Sequence, residues 1–190
     1  MQTTALATAL TGGFADAPRD AAHAFRAVMT AMARPGDIWS VTGALPPAPL
    51  SVAAGVTILT LCDPETPLFL GASHDTPEVR GWIAFHTGAP IVEAEKAMFA
   101  VGVWDSLPLG AFSLGTPQYP DRSATLIVEV PVLENTGAEL RGPGIEEITL
   151  LSLPETNAFQ KNAMHFPLGL DFFFTCGDRM AGLPRTTKVA

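Results

Sequence analysis

The sequence is poor in cysteine, in lysine and in charge. Its 190 residues include two cysteines, three lysines and 16% charged residues, against 47% hydrophobic residues. Two cysteines are too few for a disulfide framework, and both lie in apolar runs, so we expect Cys62 and Cys176 to be reduced and buried in strands. The low charge content favours a surface that other chains partly cover.

Positive charge is also scarce, and the formal net charge is -8. Such a surface repels phosphate backbones and anionic lipids, which argues against nucleic-acid and membrane-surface binding. The longest apolar stretch, residues 48–62, is shorter than the roughly 18 to 20 residues of a spanning helix. No Lys or Arg precedes Arg19, so we expect no signal peptide and a cytoplasmic location. We predict a flexible N-terminal arm over residues 1–15 and one domain over residues 16–190.

Three segments have features of helices. Residues 16–34 place Phe25, Val28, Met29 and Met32 at helical spacing, and a Pro-Gly pair ends the pattern. Residues 76–88 begin with Thr-Pro and end with glycine, and residues 154–165 form the third predicted helix.

Strand signals lie between these helices. Residues 56–62 are short and rich in β-branched side chains, which predicts a buried strand, and residues 124–132 form a second one. Residues 170–176 and 179–183 flank Gly177-Asp178, which predicts a hairpin with a type II′ or type I′ turn. The order predicts an α/β fold, a three-layer sandwich in which a mixed β-sheet is flanked by helices.

The common catalytic and cofactor motifs are missing. The chain has no Walker phosphate loop, no Gly-x-Ser-x-Gly elbow, no Cys-x-x-Cys pair and no His-Glu-x-x-His helix. Its histidines lack metal-ligand spacing, so we expect no metal site. The lysines lie in polar helical segments or in the C-terminal tail, which argues against the Schiff base that pyridoxal phosphate needs. We therefore expect no cofactor.

Two histidines have local interpretations. His86 shares the apolar face of the second predicted helix, which favours a core residue with a hydrogen-bond partner over a residue of a functional site. His165 follows the third predicted helix and is interpreted as a cap for its last carbonyl groups.

The first predicted helix carries a polar stripe opposite Phe25 and Met29. Its members share near-helical spacing and are Arg19, His23, Arg26, Thr30 and Arg34. Two interpretations remain open, a solvated face that pairs locally with Asp16 and Asp20, or a surface for a phosphate or for a partner's carboxylates.

The C-terminal segment adds another cation. Arg185, Thr186 and Thr187 follow the last predicted strand, where they form either a sheet-edge tail or a contact to an anion or another subunit. No nucleophile, base and orienting group can be assembled from these residues, so catalytic residues stay unassigned.

Several short motifs, taken in order, resemble the H subunits of the bacterial carbon–phosphorus lyase core complex, the PhnH family. Near the C-terminus these motifs are HFPLGLD (165–171), TCGDR (175–179) and LPRTT (183–187). Earlier motifs are DAAHAFR (20–26), FHT (85–87) and ATLI (124–127). The resemblance runs from about Asp16 to Lys188.

The resemblance implies a fold similar to the large domain of pyridoxal-phosphate-dependent transferases, without the cofactor or its lysine. It implies a cytosolic complex with G, I and J subunits, in which the I subunit displaces adenine from ATP with a phosphonate. The product is α-D-ribose 1-methylphosphonate 5-triphosphate. The J subunit then uses an iron–sulfur cluster, for which this chain lacks the cysteines.

We therefore expect an accessory subunit that supports this transfer and that forms a homodimer when isolated. One alternative is a nucleotide- or phosphonate-binding catalytic subunit that uses the regions around Arg26 and Arg185. The other is a stand-alone homodimer that binds a small ligand.

Overall fold

The structure is a computed structural model that describes residues 10–190. Within that range the helices are α1 (Ala17–Ala33), α2 (Val52–Leu61), α3 (Pro77–His86) and α4 (Asn157–Ala163). The strands are β1 (Trp39–Ser40), β2 (Leu68–Leu70), β3 (Phe99–Val103), β4 (Thr125–Glu129), β5 (Ala138–Arg141), β6 (Thr149–Leu151), β7 (Asp171–Cys176), β8 (Arg179–Leu183) and β9 (Lys188–Val189). None of the described helices is long and apolar enough to cross a membrane.

The main sheet has six strands in the order β1-β8-β7-β4-β3-β2. Strands β2, β3, β4 and β7 run parallel, whereas β8 and β1 are antiparallel to their neighbours. The carboxyl ends of the four parallel strands meet along one side of the sheet and their amino ends along the other. We call these sides the carboxyl edge and the amino edge.

Both faces of the main sheet are covered. Val101, Ile127 and Phe173 pack against α1, α2 and α3 on one face. Because side chains alternate along a strand, Phe172 lies on the opposite face, in a cluster with Phe159 of α4. That second layer also contains an antiparallel sheet in the order β6-β5-β9. The α/β class with a mixed sheet flanked by helices is confirmed, and the small sheet is an addition that the sequence pattern did not indicate.

Helix α1 matches its prediction in extent but not in its buried face. Ala24, Val28 and Ala31 are buried, whereas Phe25 and Met29 are at least half exposed. The reason is a close approach to β8, where a Cβ added to glycine 182 would lie 2.5 Å from the Ala31 carbonyl oxygen. Only small side chains fit between a helix and a strand at that distance.

The strand predicted over residues 56–62 is wrong, because residues 56–61 belong to α2 and Cys62 follows the end of that helix. The Ser51 hydroxyl caps this helix by accepting a hydrogen bond of 3.1 Å from the Ala54 amide. The helix is buried from Ala53 to Ile58 beneath α1 and against the main sheet. A helix buried on all sides has no polar face, so its sequence lacks helical periodicity and resembles a buried strand.

The other predicted elements are present with shorter bounds. In α3 the Thr76 hydroxyl accepts a hydrogen bond of 3.2 Å from Val79, Pro77 fills the first turn, and the helix ends at His86. The helix predicted over residues 154–165 spans only α4, and the strand predicted over residues 124–132 only β4, which ends just before Val130-Pro131. Proline has no amide hydrogen with which to continue a strand ladder.

The C-terminal hairpin is confirmed, with Cys176 opposite Arg179. Gly177 has φ +61°, and no non-glycine residue in the described range has positive φ. Asp178 therefore has negative φ, which matches the type II′ alternative, since a type I′ turn requires positive φ at both central residues.

The cysteines and the N-terminal segment complete the description. Both cysteines are free, and Cys62 is buried at the end of α2 rather than in a strand. Cys176 is only partly buried, so its predicted burial is wrong. Within the predicted arm, the Thr11 and Gly12 carbonyls accept hydrogen bonds from the α3 indole of Trp82 and the Leu45 amide. Residues 1–9 lie outside the described residues.

Candidate functional site

The carboxyl edge of the main sheet gathers a cluster of polar side chains. Ser73 and His74 follow the end of β2, Glu129 is the last residue of β4, and Thr175 lies near the end of β7. The parallel strands bring these positions together because their carboxyl ends share one edge, which is where ligands bind in many open α/β sheets.

Hydrogen bonds orient the His74 ring. Ser73 Oγ lies 2.8 Å from His74 Nδ1 and accepts a hydrogen bond of 3.2 Å from the Val103 amide. The nearby Ser106 hydroxyl donates to the Val103 carbonyl at 2.8 Å. Ser73 Oγ also lies 3.0 Å from Ser106 Oγ, so its single proton serves either Ser106 or His74 Nδ1, and both imidazole tautomers are compatible with these hydrogen bonds.

Glu129 lies next to this ring. Its Oε1 accepts a hydrogen bond of 2.6 Å from the Ser51 amide at the start of α2, and its Oε2 accepts one of 3.1 Å from Thr175 Oγ1. Oε1 also lies 3.9 Å from His74 Nε2, which is too long for a hydrogen bond. Nε2 makes no hydrogen bond of ordinary geometry in the described part of the chain, although the His74 side chain is only 2% exposed and the Pro49 carbonyl acts on the ring.

Burial moves the pKa values of Glu129 and His74 towards each other. Desolvation raises the pKa of Glu129, against the hydrogen bonds from Ser51 and Thr175 that lower it. Desolvation lowers the pKa of His74, and the Pro49 carbonyl opposes that change. Both changes favour the neutral forms, so the cluster holds an uncharged imidazole beside a carboxyl group that retains its proton more readily than usual.

A cleft of about 330 Å³ adjoins the cluster. It is lined, among others, by Val103, Trp104, Asp105, Glu129, Pro131 and Pro154. Its titratable lining residues in the described range are the carboxyl groups of Asp105 and Glu129. The cleft therefore suits a cationic or hydrogen-bond-donating group better than a phosphate. No group of three or more potential metal-ligating side chains is present within residues 10–190.

Arg185 lies at the amino edge, where its donors are used within the chain. Its Nε donates to both Asp171 carboxylate oxygens, at 3.1 and 3.2 Å, and its Nη1 donates to the Pro120 carbonyl at 2.7 Å. Its Nη2 contacts Asp171 and Ser123. The side chain is 13% exposed, and these contacts leave the guanidinium little capacity for an external anion.

The two threonines that follow Arg185 differ from each other in burial. Thr186 is partly buried, whereas Thr187 is buried and its hydroxyl has no hydrogen-bond partner among the described residues. The two therefore do not form a hydroxyl pair open to an anion.

The histidines singled out in the sequence lie apart from the carboxyl edge. His86 is half-buried against the rings of Trp82 and Phe85, and its Nε2 lies 3.2 Å from the Thr11 carbonyl oxygen. Its partner is thus the N-terminal segment rather than the core. His165 is exposed in the turn after α4, where its backbone amide donates to the Asn162 carbonyl.

The residues of the polar stripe lie on α1 or just after its end. Its exposed members are Arg19, His23, Arg26 and Arg34. Asp20 accepts a hydrogen bond of 3.0 Å from the Asp16 amide, and none of the stripe's arginines forms an ion pair within residues 10–190. The local pairing expected of a solvated face is therefore missing, and the stripe remains a surface without an assigned partner.

The carboxyl-edge cluster was missed because β2 and β3 were not predicted. Glu129 was visible as a polar residue that ends an apolar strand, and Ser73-His74 follows a short apolar segment. Without the parallel pairing of β2, β3 and β4, no signal connects these positions.

Comparison with known proteins agrees with the resemblance noted above. A family described as "Bacterial phosphonate metabolism protein (PhnH)" matches residues 12–190. A protein of Rhizobium meliloti (strain 1021) named "Alpha-D-ribose 1-methylphosphonate 5-triphosphate synthase subunit PhnH" is 41% identical, with 98% of each chain covered. A protein of Stutzerimonas stutzeri named "Putative C-P lyase subunit protein HtxG" is 28% identical, with 93% of this chain and 94% of the relative covered. The chain belongs to the PhnH family of bacterial phosphonate metabolism proteins.

Proposed function

We propose that the chain is an accessory subunit of a phosphonate-degrading enzyme complex, where it supports formation of α-D-ribose 1-methylphosphonate 5-triphosphate. The observation that carries this proposal is the match over 98% of both chains to a relative named as a subunit of that synthase. The second relative, named as a putative C-P lyase subunit, points to the same process.

The arrangement of charges supports an accessory role. A triphosphate and a phosphonate need several converging cations, yet Arg185 is engaged by Asp171 and the α1 arginines lie along an exposed face. The cleft at the carboxyl edge is lined by two carboxyl groups. The residues that the structure describes thus form no assembled phosphate site. This favours a chain that acts in a complex, where other subunits bind the phosphates.

The finer parts of the proposal follow from the family resemblance. The partners are the G, I and J subunits of the core complex, in the cytoplasm. The fold is similar to the large domain of pyridoxal-phosphate-dependent transferases but works without the cofactor, and the isolated chain is a homodimer.

Co-expression tests this role. The tagged chain is produced with the G, I and J subunits of the same complex, and the purified material is assayed for the ribosyl phosphonate from ATP and methylphosphonate. We expect stoichiometric recovery of all four chains and loss of product when this chain is left out. A chain that fails to co-purify and whose omission leaves product formation unchanged is not a subunit.

A ligand-binding role is the second candidate, favoured because the buried His74 Nε2 beside Glu129 makes no hydrogen bond of ordinary geometry within residues 10–190. Calorimetric titration of the isolated chain with ATP and with methylphosphonate tests it. Binding that Glu129→Gln removes, without a change in the melting temperature, would favour direct participation over an accessory role. Sedimentation of the same sample checks the homodimer.

A further inference from the structure

The surface around the end of α4 is a second basic region of the chain, besides the arginines of the α1 stripe. Helix α4 packs against β9, which places two of the three lysines, Lys161 and Lys188, on neighbouring elements. We call the surface formed by Lys161, Met164, His165, Phe166 and Lys188 the α4–β9 face. All five side chains are exposed. In a chain with a net charge of -8 this is a local concentration of basic groups.

Two cavities belong to this face. One, of about 260 Å³, is lined by Lys161 and His165 together with apolar side chains such as Leu109 and Leu114. The other, of about 390 Å³, is lined by Phe166, Lys188, Pro143 and Arg185, among others. Neither lining includes an Asp or Glu from the described residues.

Neither lysine of this face forms an ion pair within residues 10–190. Asp171 is held by Arg185, and Glu139 lies 3.7 Å from Arg141, the residue opposite Lys188 in the small sheet. The two ammonium groups are therefore available to the carboxylates of an approaching chain.

Large apolar side chains lie between these cations. Met164 is 77% exposed and Phe166 is 59% exposed. Methionine and aromatic residues are enriched in the cores of protein interfaces. A small anion would leave both side chains in water, whereas a polypeptide segment can cover them while its carboxylates reach the lysines.

The backbone of the face is fixed before any partner binds. Asn162 Nδ2 donates to the Leu170 carbonyl and Leu170 donates back to Asn162 Oδ1, both at 2.8 Å. This pair of bonds spans the loop that carries His165 and Phe166. A preformed surface loses less conformational entropy on binding.

We propose that the α4–β9 face docks an acidic segment of a partner subunit, whose apolar side chains cover Met164 and Phe166 and whose carboxylates contact Lys161 and Lys188. The inference rests on the proposed function, since it requires a partner subunit. It goes beyond that function by assigning the surface and the chemistry of the segment that it binds.

The test uses the co-expressed complex and two matched double variants. The variant Lys161→Glu/Met164→Ser reverses the charge and removes the apolar side chain on the α4–β9 face. The control Lys96→Glu/Met98→Ser makes the same replacements at an exposed lysine and methionine near the start of β3. We expect the first variant to weaken association at least tenfold and the control less than threefold, with melting temperatures of both isolated chains close to that of the unchanged chain. We also expect association to weaken as NaCl is raised.

Each other outcome has a definite meaning. If both variants are recovered with the partner subunits to the same extent, the α4–β9 face is not the docking surface, although the chain can still be a subunit. If the unchanged chain fails to assemble, the proposed subunit role is itself wrong. If the first variant only converts a homodimer to monomers, the occupant is a second copy and the proposal is wrong. It is also wrong if inorganic triphosphate binds the isolated chain and the first variant abolishes that binding, because the face then serves a small anion.

Discussion

The amino edge and the carboxyl edge of the same sheet hold polar groups in opposite states. At the amino edge, Arg185 joins Asp171 at the start of β7 to Pro120 and Ser123 ahead of β4, and each of its three nitrogens has an acceptor. At the carboxyl edge, the buried His74 faces Glu129 across 3.9 Å, and its Nε2 makes no hydrogen bond of ordinary geometry among the described residues.

The difference separates a structural role from a functional one. A satisfied buried ion pair fixes the chain locally, and removing one partner leaves an uncompensated charge. An unsatisfied buried group costs stability, so it is a candidate for a further contact. We infer that the pair of Arg185 and Asp171 stabilises the fold and that the cluster of His74 and Glu129 is available for such a contact. Four predictions test this comparison.

Arg185→Ala is expected to produce the largest effect. It removes the guanidinium from Asp171, whose side chain is only 17% exposed, and it leaves Ser123 and the Pro120 carbonyl without their donor. We expect a loss of about 3 kcal/mol in the free energy of unfolding, measured by urea denaturation.

The control is Arg122→Ala, which removes an exposed arginine lying 4.0 Å over the Tyr119 ring. Its expected cost is below about 1 kcal/mol. If the two substitutions lower the free energy of unfolding equally, the buried Arg185 contributes no more to stability than the exposed Arg122.

Ser73→Ala is expected to have the next largest effect, at the carboxyl edge. It removes the hydroxyl that contacts His74 Nδ1 and accepts from the Val103 amide. Because the imidazole is buried, Nδ1 would then lack its partner, and we expect a cost of about 1–3 kcal/mol. A cost near zero, again by urea denaturation, would show that the ring orientation does not depend on this bond.

The sequence predicts elements with local signals better than groups that tertiary pairing brings together. The hairpin of β7 and β8 follows from a Gly-Asp pair between apolar runs, and the extent of helix α1 follows from its spacing of apolar residues and its Pro-Gly end. The sequence also singles out Arg185 as a cation that follows the last predicted strand. Its internal pairing with Asp171 was not predictable, since 14 positions separate the two residues.

Several of the missed elements share one physical cause. Helix α2 is buried on all sides and the two-residue and three-residue strands of the sheets are short, so neither carries a period that the sequence can show. His74 and Glu129 come together only through the parallel pairing of β2, β3 and β4. That pairing is a tertiary contact, and local residue preferences do not encode it.

The pH dependence of stability should distinguish His74 from Glu129 by opposite slopes. In the unfolded chain, His74 binds a proton as the pH falls through the ordinary pKa of 6.5. In the folded chain its pKa is lowered, so the ring stays neutral to lower pH. The contribution of His74 alone therefore makes the protein less stable as the pH falls. In the unfolded chain, Glu129 loses its proton as the pH rises through the ordinary pKa of 4.5. In the folded chain its pKa is raised, so the carboxyl group keeps its proton to higher pH. The contribution of Glu129 alone therefore makes the protein less stable as the pH rises. Any overlap of the two pH ranges lies between pH 4.5 and 6.5, and there the two contributions oppose each other.

Single substitutions remove one contribution and reveal the other. Relative to the unchanged chain, Glu129→Gln should make stability rise with pH in this interval, and His74→Gln should make it fall with pH. Each slope is limited to about 1.4 kcal/mol per pH unit, the value for one proton. Urea denaturation at half-unit steps measures both slopes, and variants whose profiles parallel that of the unchanged chain would show that the two groups titrate normally.

The smallest expected effect concerns access rather than stability, and it compares the two cysteines. Cys62 is buried beneath the sheet's helical layer, and desolvation raises the pKa of its thiol to about 12, so at pH 8 only about one molecule in ten thousand carries the reactive thiolate. Cys176 ends β7 at the carboxyl edge, is partly buried, and donates a weak hydrogen bond of 3.5 Å to the carbonyl of Pro131, which lines the cleft. We therefore expect a thiol reagent to label one cysteine in the native protein and the second only after denaturation. Cys176→Ser should abolish the native reaction. If native labelling persists in that variant, the reagent reaches Cys62 in the folded protein. The helices over the sheet would then open more readily than we expect, and the carboxyl edge would not be the more accessible of the two regions.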